Sequence, residues 1–229
     1  SAIILYAVKN IIHSQEGNIM TKITGSSFDM YDKSEKAAEY RNCVEGVIDS
    51  NEVGMLGDYV HHHFTTRLQH SMNVSYYSFT LCRFLGWDYR SAARAGLMHD
   101  LYFFDNTSRD ENGIKLLKEH PVRALANSEN RFKLNDIERD AIVNHMWPCQ
   151  ALHRPSYKES VIVSFSDKLC AVMEATSGSS RLVYNTAGSA INKTTAGVEN
   201  IYRHTYSSIK SVCKAIAGAI KPKSAYANK

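Results

Sequence analysis

Apolar positions along this chain recur mainly every three or four residues, and strict alternation is scarce, so the pattern predicts helices. The stretch "TTRLQHSMNVSYYSFTLCRFLG" opens with Thr66-x-x-Gln69, a capping-box signature. Leu68, Met72, Phe79 and Cys82 then fall on one face, and Gly86 is placed to end the helix. Asp88 can cap "YRSAARAGLMHD", whose alanines and glycine permit close packing. A third helix is predicted over "KEHPVRALANSENRF", with Pro121 in its first turn. Asn135-x-x-Glu138 predicts the start of "DIERDAIVNHMW", which Pro148 stops. "YKESVIVSFSDKLCAVMEAT" reads as a long helix with Val161, Phe165, Leu169 and Val172 toward a core. The Ser-, Gly-, Thr- and Asn-rich segment from Ser177 to Asn200 predicts a loop, and "IYRHTYSSIKSVCKAIAGAI" a last helix. The expected fold is an all-α helical bundle. Residues 1–57 form a helical N-terminal extension, 58–176 the central domain, and 177–229 a loop and C-terminal helix on that domain.

Composition narrows the class without naming it. Of 229 residues, 44% are hydrophobic and 22% charged, as in ordinary globular chains. The net charge is only +4 and no basic run occurs, so nucleic acid is not an expected partner. Five cysteines at wide spacing, with no Cys-x-x-Cys, read as reduced thiols and point to a cytoplasmic location. The opening "SAIILYAV" is too short and too soon interrupted by Lys9 for a membrane helix or signal peptide. It is expected to pack on the core, with Met20 as an alternative start. The amphipathic, lysine-bearing C-terminal stretch around Ile209, Val212 and Ile216 is read as docking on the bundle and not on a membrane.

The candidate chemistry lies in ten histidines and a few carboxylates. In "ARAGLMHDLYFFD", the adjacent polar pair His99-Asp100 interrupts an apolar segment. Burying such a pair is costly unless neighbours or a bound ion satisfy it. His70, His99-Asp100, His120, His145 and Asp167 each fall on a different predicted helix or at its start, separated by about one helix and one loop. A bundle can bring all six side chains to one point. Imidazole and carboxylate ligands suit Mn, Fe, Zn, Ni or Mg. Six groups exceed the need of one structural zinc. They suffice for two metals sharing a carboxylate, with a metal-activated hydroxide to attack phosphorus.

This ordered set resembles the HD-domain phosphohydrolase superfamily. "RLQHSMNVSYYSFTLCRFLGWDYRSAARAGLMHD" is especially similar to small bacterial HD-domain proteins, and the resemblance covers roughly Asp58 to Glu174, about half the chain. It implies an all-α, metal-dependent phosphohydrolase. His70, His99, Asp100 and Asp167 match the ligand set of one metal. His120 and His145 match the extra histidines of binuclear members, with Asp100 as the bridge. Those members include cyclic-dinucleotide phosphodiesterases and a diadenosine-tetraphosphate hydrolase. The chain departs from the HD-GYP type, reading "LYFF" after His99-Asp100 and "MWP" after His145.

Other residues near the set have two readings each. Arg67 can grip a substrate phosphate or form a surface salt bridge. Lys168 can bind phosphate from beside Asp167. Asp105 can orient a ligand histidine or move a proton, or simply cap a turn, and Asp100 is a second candidate proton acceptor. Tyr102 and Trp147 can stack on a base or belong to the core. Of His61, His62 and His63, the plain reading is a solvated loop, and the functional one is that His62 or His63 lines the cleft. The resulting expectation is one or two divalent metals and hydrolysis of a phosphate ester or anhydride of a small molecule, in the first place a nucleotide. A dinucleoside-polyphosphate or cyclic-nucleotide hydrolase and a non-catalytic metal- or nucleotide-binding sensor are the alternatives. A homodimer through the terminal helices stays open.

Overall fold

A computed structural model describes residues 23–24, 26–62, 65–105, 107–109, 118–148 and 154–186, with the side chains of residue 62 and of 175–186 left aside. The fold is all-α. Among the described residues, seven α-helices are accompanied by one two-stranded ribbon. These are α1 (Glu35–Val44), α2 (Asn51–Met55), α3 (Arg67–Leu85), α4 (Tyr89–Met98), α5 (His120–Arg131), α6 (Asp136–Asn144) and α7 (Lys158–Thr186). A 3-10 turn at Leu56–Asp58 leads from α2 into the ribbon.

Local chemistry sets the helix ends. Thr66 accepts a hydrogen bond from the Gln69 backbone at 3.2 Å, starting α3. Gln69 does not return it; its amide donates to Asn73 Oδ1 at 2.9 Å instead. Gly86 ends α3 in the left-handed region at φ 68°. Asp88 caps α4 through the Ser91 backbone. Asn135 and Glu138 cap α6 reciprocally, a complete capping box. Pro121 sits in the first turn of α5, where its missing N–H costs nothing.

Helix α4 lies at the centre, packed on α1, α3, α5 and α6. Its inward residues Ala92, Ala93, Ala95, Leu97 and Met98 are wholly buried. Gly96 allows the closest approach: a Cβ there would lie 2.8 Å from the Ser75 Cα of α3. Ser75 in turn donates to the Ala93 carbonyl at 2.7 Å and accepts from the Tyr40 hydroxyl of α1 at 2.9 Å. Phe28, Tyr40, Tyr76 and Phe79 form an aromatic cluster that pins the chain before α1 and α1 itself to α3.

Three expectations are corrected. The segment from Ser177 continues α7 to Thr186 and is not loop there. The buried face of α7 is not Val161, Phe165, Leu169 and Val172. Val172 is 61% exposed, while Ile162, Val163, Cys170 and Met173 are buried together with Ser160, Ser166, Asp167 and Glu174. That face is polar because it borders the site, so the apolar stripe misreported it. Third, the histidine run is not a bare loop: Val60–His62 pairs antiparallel with Thr65–Thr66, with an irregularity between Val60 and His62. The Arg67 N–H donates to the Tyr59 carbonyl at 2.8 Å, fastening this ribbon to the start of α3.

The chain divides into two compact units, Ser1–Gly178 and Ser179–Lys229. The first carries the whole site; of the second, the described part is helical through Thr186. The expected N-terminal packing segment, Met20 and the C-terminal helix lie outside the described residues. Cys43, Cys82 and Cys170 are buried, and Cys149 and Cys213 lie outside the described residues. Among the described residues no helix is long and apolar enough to cross a membrane.

Candidate metal centre

Four helix termini and the polar face of α7 meet at one end of the bundle. His70 stands in the first turn of α3, and His99 caps the C-terminus of α4 with Asp100 following it. His120 begins α5, His145 caps the C-terminus of α6, and Asp167 comes from mid-α7. All six sequence-derived candidates are brought together, and all are buried.

Asp100 is the centre of the cluster. Its Oδ1 lies 3.4 Å from His120 Nε2 and 3.6 Å from His145 Nε2. Its Oδ2 lies 3.7 Å from His99 Nε2 and 3.7 Å from His61 Nδ1. The two oxygens of one carboxylate thus face two different histidine groups. Asp167 Oδ1 stands 3.1 Å from His70 Nε2 and 3.8 Å from His99 Nε2. Ligand atoms bound at about 2.1 Å around a tetrahedral ion sit roughly 3.4 Å apart, so several of these spacings match ligand-to-ligand edges better than hydrogen bonds.

The outer nitrogens are already spoken for. Nδ1 of His99 donates to the Gly96 carbonyl at 2.8 Å, and Nδ1 of His145 to the Ile142 carbonyl at 2.7 Å. His70 Nδ1 faces the Glu174 carboxylate at 3.0 Å. Such bonds orient each ring and leave Nε2 pointing into the cluster. His120 and His145 meet there Nε2 to Nε2 at 2.8 Å, within hydrogen-bond distance. His99 Nε2 and Asp100 Oδ1 are buried and make no hydrogen bond among the described residues. Buried polar atoms without hydrogen bonds are rare and call for a partner. Three groups of residues have donor atoms close enough to hold a metal ion: His61, His70 and Asp100; His70, His99 and Asp167; His99, Asp100 and His145.

Protonation agrees with this. Burial lowers His99, and burial with the neighbouring His99 and His120 lowers His145 to about 3, so both are neutral imidazoles at neutral pH. Burial works against the charge of Asp100, but His99, His120, His61 and His145 hold its carboxyl below the ordinary range. That suits a ligand better than a proton acceptor. Asp167 is likewise opposed by burial and held low by His70 and His99. His70 behaves oppositely: burial would lower it, yet the hydrogen bonds to Asp167 and Glu174 carry it to about 10.

The remaining candidates divide. Lys168 is at the site's rim. Its Nζ donates to Asp167 Oδ2 at 3.1 Å, to Ser164 Oγ at 3.3 Å and to the His145 carbonyl. Arg67 is not a surface ion pair. It is wholly buried and donates to the carbonyls of Tyr102 at 2.7 Å and Phe104 at 3.1 Å. Its guanidinium also stacks on Tyr102 at 3.6 Å. Arg67 therefore holds the segment that follows Asp100, and, wholly buried, its guanidinium is closed to a phosphate arriving from solvent. Tyr102, buried beneath it, presents no free face to a base. Trp147 is half-buried, and Asp105 is exposed. His63 and the side chain of His62 lie outside the described residues; His61 is the member of that run that faces Asp100.

Two neighbours of the centre escaped the sequence reading, His61 and Glu174. Strand alternation across the histidine run was the available signal for the first. For Glu174 it was the seven-residue step from Asp167, which returns to the same helix face. No family model matches the chain, and no curated protein or solved structure does either.

Proposed function

We propose that this chain is a metal-dependent phosphohydrolase of the HD type, acting on a phosphate ester or anhydride of a nucleotide. The observation that carries the reading is Asp100, whose two oxygens face separate histidine groups inside a buried cluster. His70, His99, Asp100 and Asp167 would hold one divalent ion, and Asp100, His120 and His145 a second. The orphaned His99 Nε2 and Asp100 Oδ1 fit such ions. The donor set, imidazole with carboxylate, suits Mn, Fe, Zn, Ni or Mg.

When bound, the ions supply Lewis acidity, activating water and offsetting charge on the phosphoryl group. The chain's own residues set the frame for this. Gly96, Ile142 and Glu174 fix the imidazole rings, and neutral His99 and His145 offer lone pairs without first losing a proton. Lys168 places a cation at the rim, where anionic phosphate oxygens would meet it. Its side chain is 30% exposed, the most open of the residues around the cluster.

The test is product formation across mono-, di- and triphosphates, cyclic nucleotides and dinucleoside polyphosphates with Mn added, comparing the wild type with Asp100→Asn. Turnover of one class, abolished in the variant, is expected. A metal-loaded wild type that binds nucleotide for hours without product would overturn the hydrolase in favour of a sensor. Full turnover by a metal-depleted Asp100→Asn would overturn the centre itself.

A further inference from the structure

We propose that His61 is a seventh metal-binding side chain, a ligand on the Oδ2 side of Asp100 at the mouth of the centre. This rests on the metal-dependent reading above and adds a residue to it. The ribbon supplies the reason for its orientation. Successive side chains of a strand point to opposite faces; Val60 is 63% exposed, and its neighbour His61 turns inward. The strand is held in place by its pairing with Thr65–Thr66, which the Arg67 N–H on the Tyr59 carbonyl extends.

The geometry around Asp100 Oδ2 is symmetrical. His99 Nε2 stands 3.7 Å from it and His61 Nδ1 also 3.7 Å. Both distances exceed a hydrogen bond and approach the ~3.4 Å between ligands of a tetrahedral ion. The His61 ring stacks on that of His70 at 3.9 Å with an interplanar angle of 24°. Stacking fixes the plane in which Nδ1 lies, and donor atoms of His61, His70 and Asp100 all fall within 4.8 Å of one another. His61, His70 and Asp100 thus form a set of three donors on the Oδ2 side.

His61 also differs from the other histidines in exposure. Its side chain is 12% accessible, while those of His70 and His99 are closed at 0%. It is therefore the imidazole nearest to solvent, and a ligand there is the one an arriving substrate can displace.

The experiment uses the full chain and Co(II) as the probe, titrated against a competing chelator while the visible bands are followed. The variants are His61→Ala and His61→Phe; the second keeps a ring stacked on His70 but has no nitrogen to give. Circular dichroism reports whether each folds. Both are expected to bind the tighter Co(II) at least about tenfold more weakly, the scale on which altered ligand surroundings act, and with changed band intensity. If His61→Phe is folded and binds cobalt with wild-type affinity and spectrum, His61 is not a ligand, and the phosphohydrolase reading stands without it. If the wild type binds no cobalt, both readings fail together.

Discussion

Glu174 reaches Nδ1 of His70 at 3.0 Å from a position 104 residues further along the chain. It is 3% exposed and also accepts from the Asn73 amide at 2.7 Å. A buried carboxylate behind a ligand imidazole fixes the ring's orientation and raises its basicity. Glu174→Gln keeps the shape and removes the charge. The expected result is a roughly 10- to 100-fold loss of metal affinity with the fold intact, read by competitive chelator titration. An unchanged affinity would show that Asp167 and the stacked His61 ring position His70 without the Glu174 charge.

Gly96 makes a prediction about stability. A methyl group at this position meets backbone atoms of Ser75 at 2.8 and 2.9 Å, and backbone cannot yield as a flexible side chain can. Gly96→Ala normally gains from helix propensity, but overpacking here should outweigh that and cost about 1–3 kcal/mol. Chemical denaturation of the two proteins measures it. Because the Gly96 carbonyl also orients His99, the folded variant should bind metal more weakly as well.

Arg67 separates two roles cleanly. Arg67→Met removes the donors to the Tyr102 and Phe104 carbonyls, and leaving buried acceptors unsatisfied costs about 1–3 kcal/mol each. A lowered melting temperature is therefore expected, with substrate KM little changed in the protein that remains folded. A raised KM at wild-type stability would return Arg67 to phosphate binding.

Metal loading should be coupled to protons. In the metal-free chain, burial disfavours the charge on His70, but the hydrogen bonds to Asp167 and Glu174 prevail and raise its pKa to about 10. A raised pKa gives stability that is complete below the ordinary 6.5 and is lost as pH rises toward about 10. Asp100 and Asp167, held low, contribute in the opposite sense: their share is present above the ordinary carboxylate range and lost only in acid. Chelator-treated protein should therefore melt progressively lower as pH climbs from about 6.5 to 10. Metal binding should release a proton, measurable by calorimetry in buffers of different ionisation enthalpy. Equal heats in all buffers would contradict this.

The convergence of His70, His99, Asp100, His120, His145 and Asp167 was legible because they lie in helices or just past their ends, and several of those ends are written locally. Thr66, Asp88, Asn135 and Gly86 carried that information, and all four act at the ends where they were expected. The face of α7 was not legible. Hydrophobic spacing favours Val161, Phe165, Leu169 and Val172, whereas the buried side holds Asp167 and Glu174 and is partly polar. A helix that turns toward a buried polar cluster breaks the rule that the apolar side goes inward. His61 was missed because the run reads as a solvated loop, whereas Val60–His62 pairs with Thr65–Thr66 as a short ribbon whose alternation turns His61 inward. Arg67 was misjudged because sequence spacing shows which face a side chain shares but not which carbonyls await it.

Helix ends, more than helix flanks, build this centre. His99 and His145 cap the C-termini of α4 and α6, and His120 opens α5. The chain leaves the cluster at Asp100 and at His145, and helices begin again at His120 and Lys158. Caps, Gly96 and the α3–α4 contact secure these side chains from within the bundle, between the segments that join the helices. Such segments vary readily while a rigid scaffold keeps the chemistry. On the proposed reading, connectors grafted between the same helix ends would change the substrate taken and leave the cluster in place.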